Sequence, residues 1–280
     1  MKDILVHVDD RPAAAVRLDA AVQLATSHDA HLIGLYVIVE PHISRTARAF
    51  FTDAAIALQR SALTAAAERA RDRFEDLITH AGVRGEWRQV ASKQSSLAKV
   101  IAVHARYTDL AVVGQADPEE DEPEVTRVMP DELILVAGRP VLVVPYVGTY
   151  SVVGERVLVA WDASRLATRA VNDALPLLEK AKKVVVLAVN PHGDGEQGHG
   201  EIPSADICLH LARHGINAEA QHTRADDVDV GNMLLSRAAD EGIDVMVCGA
   251  YGHRRLRELV LGGVTRHLLN HMTMPVLMSH

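Results

Sequence analysis

The chain repeats itself. Residues 4–9 read ILVHVD and residues 157–162 read VLVAWD, each an aliphatic run ending in aspartate. Residues 108–114, TDLAVVG, return as IDVMVCG at 243–249, and RPVLVVP at 139–145 returns as MPVLMSH at 274–280. The last two pairs share one spacing of 135 residues, whereas the first pair lies 153 apart, so the first copy carries 18 extra residues in its middle. Three strand signatures in one order restrict the chain to a tandem of two similar units. Its 280 residues suit that division, because a unit of about 140 residues can bury a core without disulfides or metals.

The pattern within each copy alternates between strands and helices. The first copy predicts strands at 3–8, 31–38, 85–91, 109–114 and 140–145, with helices at 12–27, 46–80 and 95–105. The second predicts strands at 155–161, 183–189, 216–223, 244–249 and 275–279, with helices at 165–180, 203–214, 230–241 and 263–271. Such alternation implies a parallel sheet covered by helices on both faces. Composition agrees: 48% of residues are hydrophobic but only 4% aromatic, so the core is built from Val, Leu, Ile and Ala. Continuous aliphatic strands are what a sheet buried on both faces requires. A linker falls at Val147–Ser151, giving domains at 1–147 and 152–280. Each copy ends in an aliphatic run, Val141–Pro145 and Val276–His280. Either run would be an exposed edge if its copy stood alone, so the two are expected to pair within the chain. Homodimerisation is a further option, with helix 46–80 as its candidate surface.

Several function classes are excluded. A net charge of −8 argues against gripping nucleic acid through its phosphates. The start, MKDILVHVDD, lacks a signal-peptide pattern, and no apolar run approaches membrane-spanning length, so a cytoplasmic protein without membrane contact is expected. Cys208 and Cys248 sit among apolar residues and read as buried free thiols. His192 and His199 lie in the loop HGDGEQGHG, without the ligand spacing of a metal site. That loop follows the second copy's second strand and could cover a ligand there. No nucleophile triad can be assembled, and there is no Gly-x4-Gly-Lys-Ser/Thr motif. The alanine-rich helix 52–80 mixes Glu68, Asp72 and Glu75 with arginines and reads as core packing.

The informative segment is 249–265, from Gly249 through Gly252, Gly262 and Gly263 to Val264 and Thr265. It starts where the strand DVMVC ends and stops where a helix begins. Glycines there let backbone N–H groups approach an anion, and a helix start adds unpaired donors. Ligands of open α/β sheets sit outside the carboxyl ends of the strands, which is this location. The same glycines could equally serve only as turns and a helix cap. Thr265 could bond a phosphate oxygen or cap the helix. Asp162 ends the first strand of the same copy, where an acid suits a ribose hydroxyl or a base. His253, Arg254, Arg255 and Arg257 are either phosphate contacts or a solvated surface.

The first copy lacks this loop. No glycine occurs between Gly114 and Gly138, and Asp117, Glu119, Glu120, Asp121, Glu122 and Glu124 stand there instead. Like charges a few ångströms apart cost on the order of 1 kcal/mol per pair, so this segment repels a triphosphate. Asp9 survives without a partner loop. The first copy is therefore expected to be structural or to bind a protein partner, with a different ligand as the alternative.

With these residues in place, the chain resembles a tandem universal stress protein. That family folds as doubly wound, Rossmann-like, five-stranded units and carries the signature Gly-x2-Gly-x9-Gly followed by Ser, Thr or Asn. Gly249, Gly252 and Gly262 match it, whereas Gly263 departs from it and Thr265 matches a hydroxyl residue two positions on. The resemblance implies ATP, with or without Mg, as the ligand of the second copy. It further implies that Asp162 meets the adenine or ribose and that Val189 contacts the base. It points to a stress-response regulator rather than an enzyme. The alternatives are a slow ATPase or nucleotidyl-transfer enzyme on the same site, for which Glu258 is the motif's only acid, and an interaction protein that binds no nucleotide.

Overall fold

The structure is a computed structural model that describes residues 1–39, 52–92, 96–120, 124–190, 204–225, 228–251 and 263–280. Among these residues the aliphatic runs become ten strands of one sheet. The first unit contributes β1 (Asp3–Val8), β2 (His31–Val39), β3 (Gly85–Ser92), β4 (Leu110–Gly114) and β5 (Val141–Val144). The second contributes β6 (Arg156–Ala160), β7 (Lys183–Val189), β8 (Ala218–Thr223), β9 (Val245–Gly249) and β10 (Val276–Ser279). Their order is β3-β2-β1-β4-β5-β10-β9-β6-β7-β8, so each unit has the same strand order read from its own edge inward. Within a unit all pairings are parallel.

The seam is the exception. β5 and β10 run antiparallel, with Val143 opposite Val276, Leu142 opposite Leu277 and Val141 opposite Met278. The two terminal runs thus cover each other's edges, which is the pairing expected from their position. The outer edges are the more polar strands β3 and β8, whose residues are, but for the buried Ser92, partly buried or exposed. Polar edges of this kind discourage further strand addition.

Helices cover both faces. α1 (Ala13–His28), α2 (Asp53–Ala81), α6 (Arg165–Leu178) and α7 (Ala205–Arg213) lie on one side. There Leu18, Phe74, Val171 and Leu211 pack on Ile4, Val6, Val157 and Val159. On the other side lie α3 (Leu97–Ala105), α5 (Met129–Val136), α8 (Val230–Asp240) and α9 (Gly263–His271). There Leu133, Leu234 and Leu268 pack on Leu5, Leu158 and Met246. Residues alternate between these layers along each strand, as the two-residue strand period demands. Each layer runs unbroken across the seam, so the two units share their cores.

Two expectations need adjusting, for helix 46–80 and for Cys208, and the acidic segment gains helices that its pattern does not announce. α2 starts at Asp53, capped by Thr52, whose Oγ1 accepts the Ala55 N–H at 3.2 Å; the expected start at 46 lies outside the described residues. Its first three turns are also largely solvent-exposed, and it joins the core only from Ala66 onward. The segment between Gly114 and Gly138 forms two short helices, α4 (Glu124–Arg127) and α5, because Met129, Leu133 and Ile134 supply an apolar face behind the acidic run. Cys248 is buried as expected, whereas Cys208 is only partly so, and both are free thiols.

The linker is also held. The Tyr150 hydroxyl lies 3.0 Å from the Val147 carbonyl and 3.2 Å from the Thr273 carbonyl, which ties residues 147–150 to the second unit.

Candidate functional site

The carboxyl ends of β6, β7 and β9 open onto a cleft of about 160 Å³. Six residues singled out by sequence line it together: Asp162, Val189, Gly249, Gly263, Val264 and Thr265. Gly252 and Gly262 lie outside the described residues, as do His253, Arg254, Arg255, Arg257 and the loop with His192 and His199. The cleft also has walls the sequence reading passed over. Trp161 and Ser164 stand beside Asp162, Cys248 forms floor, and Val230 and Leu234 of α8 close the far side.

Local structure explains why these groups converge. β6 ends at Ala160, and the Asp162 carboxylate then accepts the Ser164 N–H at 3.0 Å in a side-chain turn. Ser164 caps α6 in turn, its Oγ accepting the Ala167 N–H at 3.1 Å. Asp162 itself remains exposed and lines the cleft. Gly249 is needed for a reason other than anion approach. A Cβ there would stand 2.6 Å from both the Ala167 nitrogen and the Leu166 carbonyl carbon, so only glycine lets β9 pass under the first turn of α6. Gly263 has open space around it. Thr265 is buried, and its Oγ1 accepts the Tyr251 N–H at 3.2 Å, which leaves the hydroxyl hydrogen available to another acceptor. Burial, and then the Asp162 charge, push the Cys248 thiol up to about 12. It stays protonated and serves as apolar floor.

Beyond the cleft rim, Asn190 fixes the turn after β7. Its side chain accepts the Ala225 N–H at 2.7 Å while its backbone adopts φ 49°. Asn tolerates this left-handed backbone better than most residues, so the residue after Val189 shapes the edge of the cleft. Nothing in the sequence reading had marked it.

The equivalent place in the first unit is nearly closed, at about 20 Å³. Asp9 makes the same turn as Asp162, accepting the Arg11 N–H at 3.2 Å. Its other oxygen, however, accepts from Arg17 at 3.1 Å, with both side chains largely buried. Arg17 also lies directly over Gly114. Burial alone would raise the Asp9 carboxyl, but Arg17, with His7 and Arg11, overrides it and holds it at about 2. His7 sits below on β1, buried, with Nδ1 lacking a partner; burial and then the Arg17 charge depress it to about 3, so it stays neutral. At the spacing of the first repeat pair, the second unit has Ala160 and Ala170 at these two places.

Among the described residues no cluster of three or more His, Cys, Asp or Glu could hold a metal ion. No helix among them is long and apolar enough to cross a membrane.

The family model described as universal stress protein family matches residues 154–280. No curated protein matches the chain. A universal stress protein from Archaeoglobus fulgidus DSM 4304 is similar over 99% of this chain and 95% of its own, with a TM-score of 0.75 at 15% identity. A structure from Pseudomonas aeruginosa UCBPP-PA14, assigned to the universal stress proteins, covers 100% of this chain and 93% of its own, with a TM-score of 0.60 at 17% identity. A shorter structure, a universal stress protein in complex with cAMP, spans 52% of this chain and 98% of its own at 19% identity, with a TM-score of 0.37. Residues 154–280 thus match the universal stress protein family, and the chain as a whole is a tandem of two units similar in fold to the Archaeoglobus fulgidus protein.

Proposed function

We propose that the protein is a regulatory, stress-response type nucleotide-binding protein that takes one ATP per chain, in the cleft of the domain at 152–280. The observation that carries this reading is the asymmetry of the two clefts, about 160 Å³ against about 20 Å³ at equivalent positions. The open one has the chemistry an adenine nucleotide needs. Its apolar walls, Val189, Val230 and Leu234, suit a base, and the exposed Asp162 carboxylate suits ribose hydroxyls. Gly263 and Thr265 begin α9 at the rim, where helix-start N–H groups and a hydroxyl suit phosphate oxygens. Gly249, Gly252 and Gly262 keep the family's spacing through the intervening loop. Mg would enter with the phosphates, since the described residues hold no metal cluster of their own. In this reading the domain at 1–147 carries no nucleotide and serves as a structural or partner-binding half.

We read the function as binding rather than turnover: among the described residues lining the cleft the one carboxylate, Asp162, spends an oxygen on its turn, and no imidazole stands there. Identification of the nucleotide that co-purifies with the protein tests the reading, and an adenine nucleotide at about one equivalent is expected. Chain isolated and re-titrated without any affinity for adenine nucleotide would overturn it in favour of a nucleotide-free interaction protein. Single-turnover phosphate release at a rate well above that of free ATP would instead make it a slow ATPase.

A further inference from the structure

The strand that leads into the glycine loop is held at its end by both units. Tyr251, the last described residue before Gly252, has φ 65°, in the left-handed region that a residue with a side chain keeps only when its surroundings fix it there. Three contacts fix it. Its N–H donates to Thr265 Oγ1 at 3.2 Å, its ring meets His280 edge-on with centroids 6.2 Å apart, and its hydroxyl donates to Asp131 Oδ1 at 2.9 Å. Thr265 and His280 belong to the second unit. Asp131 belongs to the first, in the opening turn of α5.

The backbone just before Tyr251 is equally constrained. The buried Ala250 donates its N–H to the Ser279 carbonyl at 2.9 Å, and its own carbonyl lies 3.0 Å from His280 Nδ1. The backbone at residues 250 and 251 is therefore held in one direction at the end of β9. Burial raises the Asp131 carboxyl, an effect that the Tyr251 hydroxyl and then Arg266 oppose. Burial and the Asp131 charge both raise the Tyr251 phenol, which remains a hydrogen-bond donor at any ordinary pH.

We propose that Asp131 of the first unit is a positioning residue for the cleft of the second, acting through the Tyr251 hydroxyl on Tyr251 and its cleft-lining partner Thr265. The unit whose own cleft is filled thereby helps build the cleft that is open. Its ligand rests on the ATP reading above; its geometry does not. Coupling of this kind is reciprocal, so a ligand held in the cleft also strengthens the contact across the seam. A protein that displaced α5 would then weaken the ligand, and the ligand would resist the displacement.

The test uses the full chain with Tyr251→Phe, Asp131→Asn and the double variant. His28→Ala serves as a control, because His28 makes another contact across the seam, 3.1 Å from the Pro176 carbonyl, at the far end of α1. Two readouts are taken: amide hydrogen exchange at residues 250 and 251 without ligand, and the Kd for ATP. Both single variants should speed exchange at Tyr251 and raise the Kd about five- to tenfold, the worth of one ordinary net hydrogen bond. The double variant should be no worse than either single one, and His28→Ala should lower the melting midpoint while leaving Kd and exchange at 251 unchanged. Unchanged exchange in Tyr251→Phe overturns the inference, as does an equal loss of affinity in His28→Ala. If the parent chain binds no ATP, the functional reading falls, and the exchange comparison alone decides whether Asp131 positions Tyr251.

Discussion

The two clefts share a backbone plan and differ in what fills them. Both units place an aspartate after the first strand, Asp9 and Asp162, and both aspartates accept an N–H two residues on. Both units also end the fourth strand in glycine, Gly114 and Gly249. In the first unit, Arg17 covers the glycine and neutralises the aspartate, with His7 packed beneath. In the second, alanine stands at both places, the aspartate faces solvent and a helix turn covers the glycine. A site can thus be closed from within by two side chains while its strand order is kept. The fold is indifferent to the change because either filling buries the same strands.

Arg17→Ala should have the largest effect on this comparison. It leaves the Asp9 carboxylate largely buried without its partner, a change that costs about 3–5 kcal/mol. Urea unfolding at neutral pH measures it, and Arg17→Ala/Asp9→Asn should recover part of the loss. A loss below about 1 kcal/mol, with no recovery, would mean that the ion pair does not close the first cleft. Such a variant should still bind no nucleotide there, since the glycine loop is absent.

Gly249→Ala should cost about 1–3 kcal/mol, because the added Cβ meets backbone atoms of Leu166 and Ala167 that cannot swing aside. Gly263→Ala, with open space around it, should cost only the few tenths expected of a surface change. Thermal unfolding that ranks the two equally would refute the close approach of β9 to α6.

His7→Ala should alter how stability depends on pH. In the unfolded chain His7 takes its proton near 6.5, and in the folded chain only near 3. The unfolded state therefore binds more protons throughout that window. Stability is full above about 6.5 and falls as pH drops toward 3, with a slope of at most about 1.4 kcal/mol per pH unit from this residue. Asp9, depressed to about 2 from 3.8, adds its own loss only below that upper value. Replacing His7 should flatten the curve between roughly pH 6 and pH 4.5, with the remaining slope owed in part to His28 and His104, which burial also lowers. An unchanged slope would place His7 in a hydrated site.

Much of this was legible in the sequence because repeats and strand patterns are local. ILVHVD and VLVAWD announced equivalent strands, and the aliphatic ends of the copies announced the β5–β10 seam. The convergence of Asp162, Val189, Gly249 and Thr265 followed from where the strands end. What the reading missed depends on side chains meeting across the fold. Arg17 lies eight residues beyond Asp9 and reads as an ordinary helical arginine until the helix is laid on the sheet. Comparison of the copies at the spacing of their first strands would have paired Arg17 with Ala170 and His7 with Ala160, and that was the available signal. Helix α5 hid behind the acidic run, and with it Asp131, whose contact to Tyr251 joins residues 120 positions apart.

Calorimetric titration of the full chain with ATP tests the central asymmetry most directly. One site per chain is expected, abolished by Gly252→Asp, which puts a side chain and a negative charge where backbone would meet phosphate, and retained in Arg17→Ala. Two equivalent sites, or one site that survives Gly252→Asp, would contradict the assignment of the ligand to the second unit.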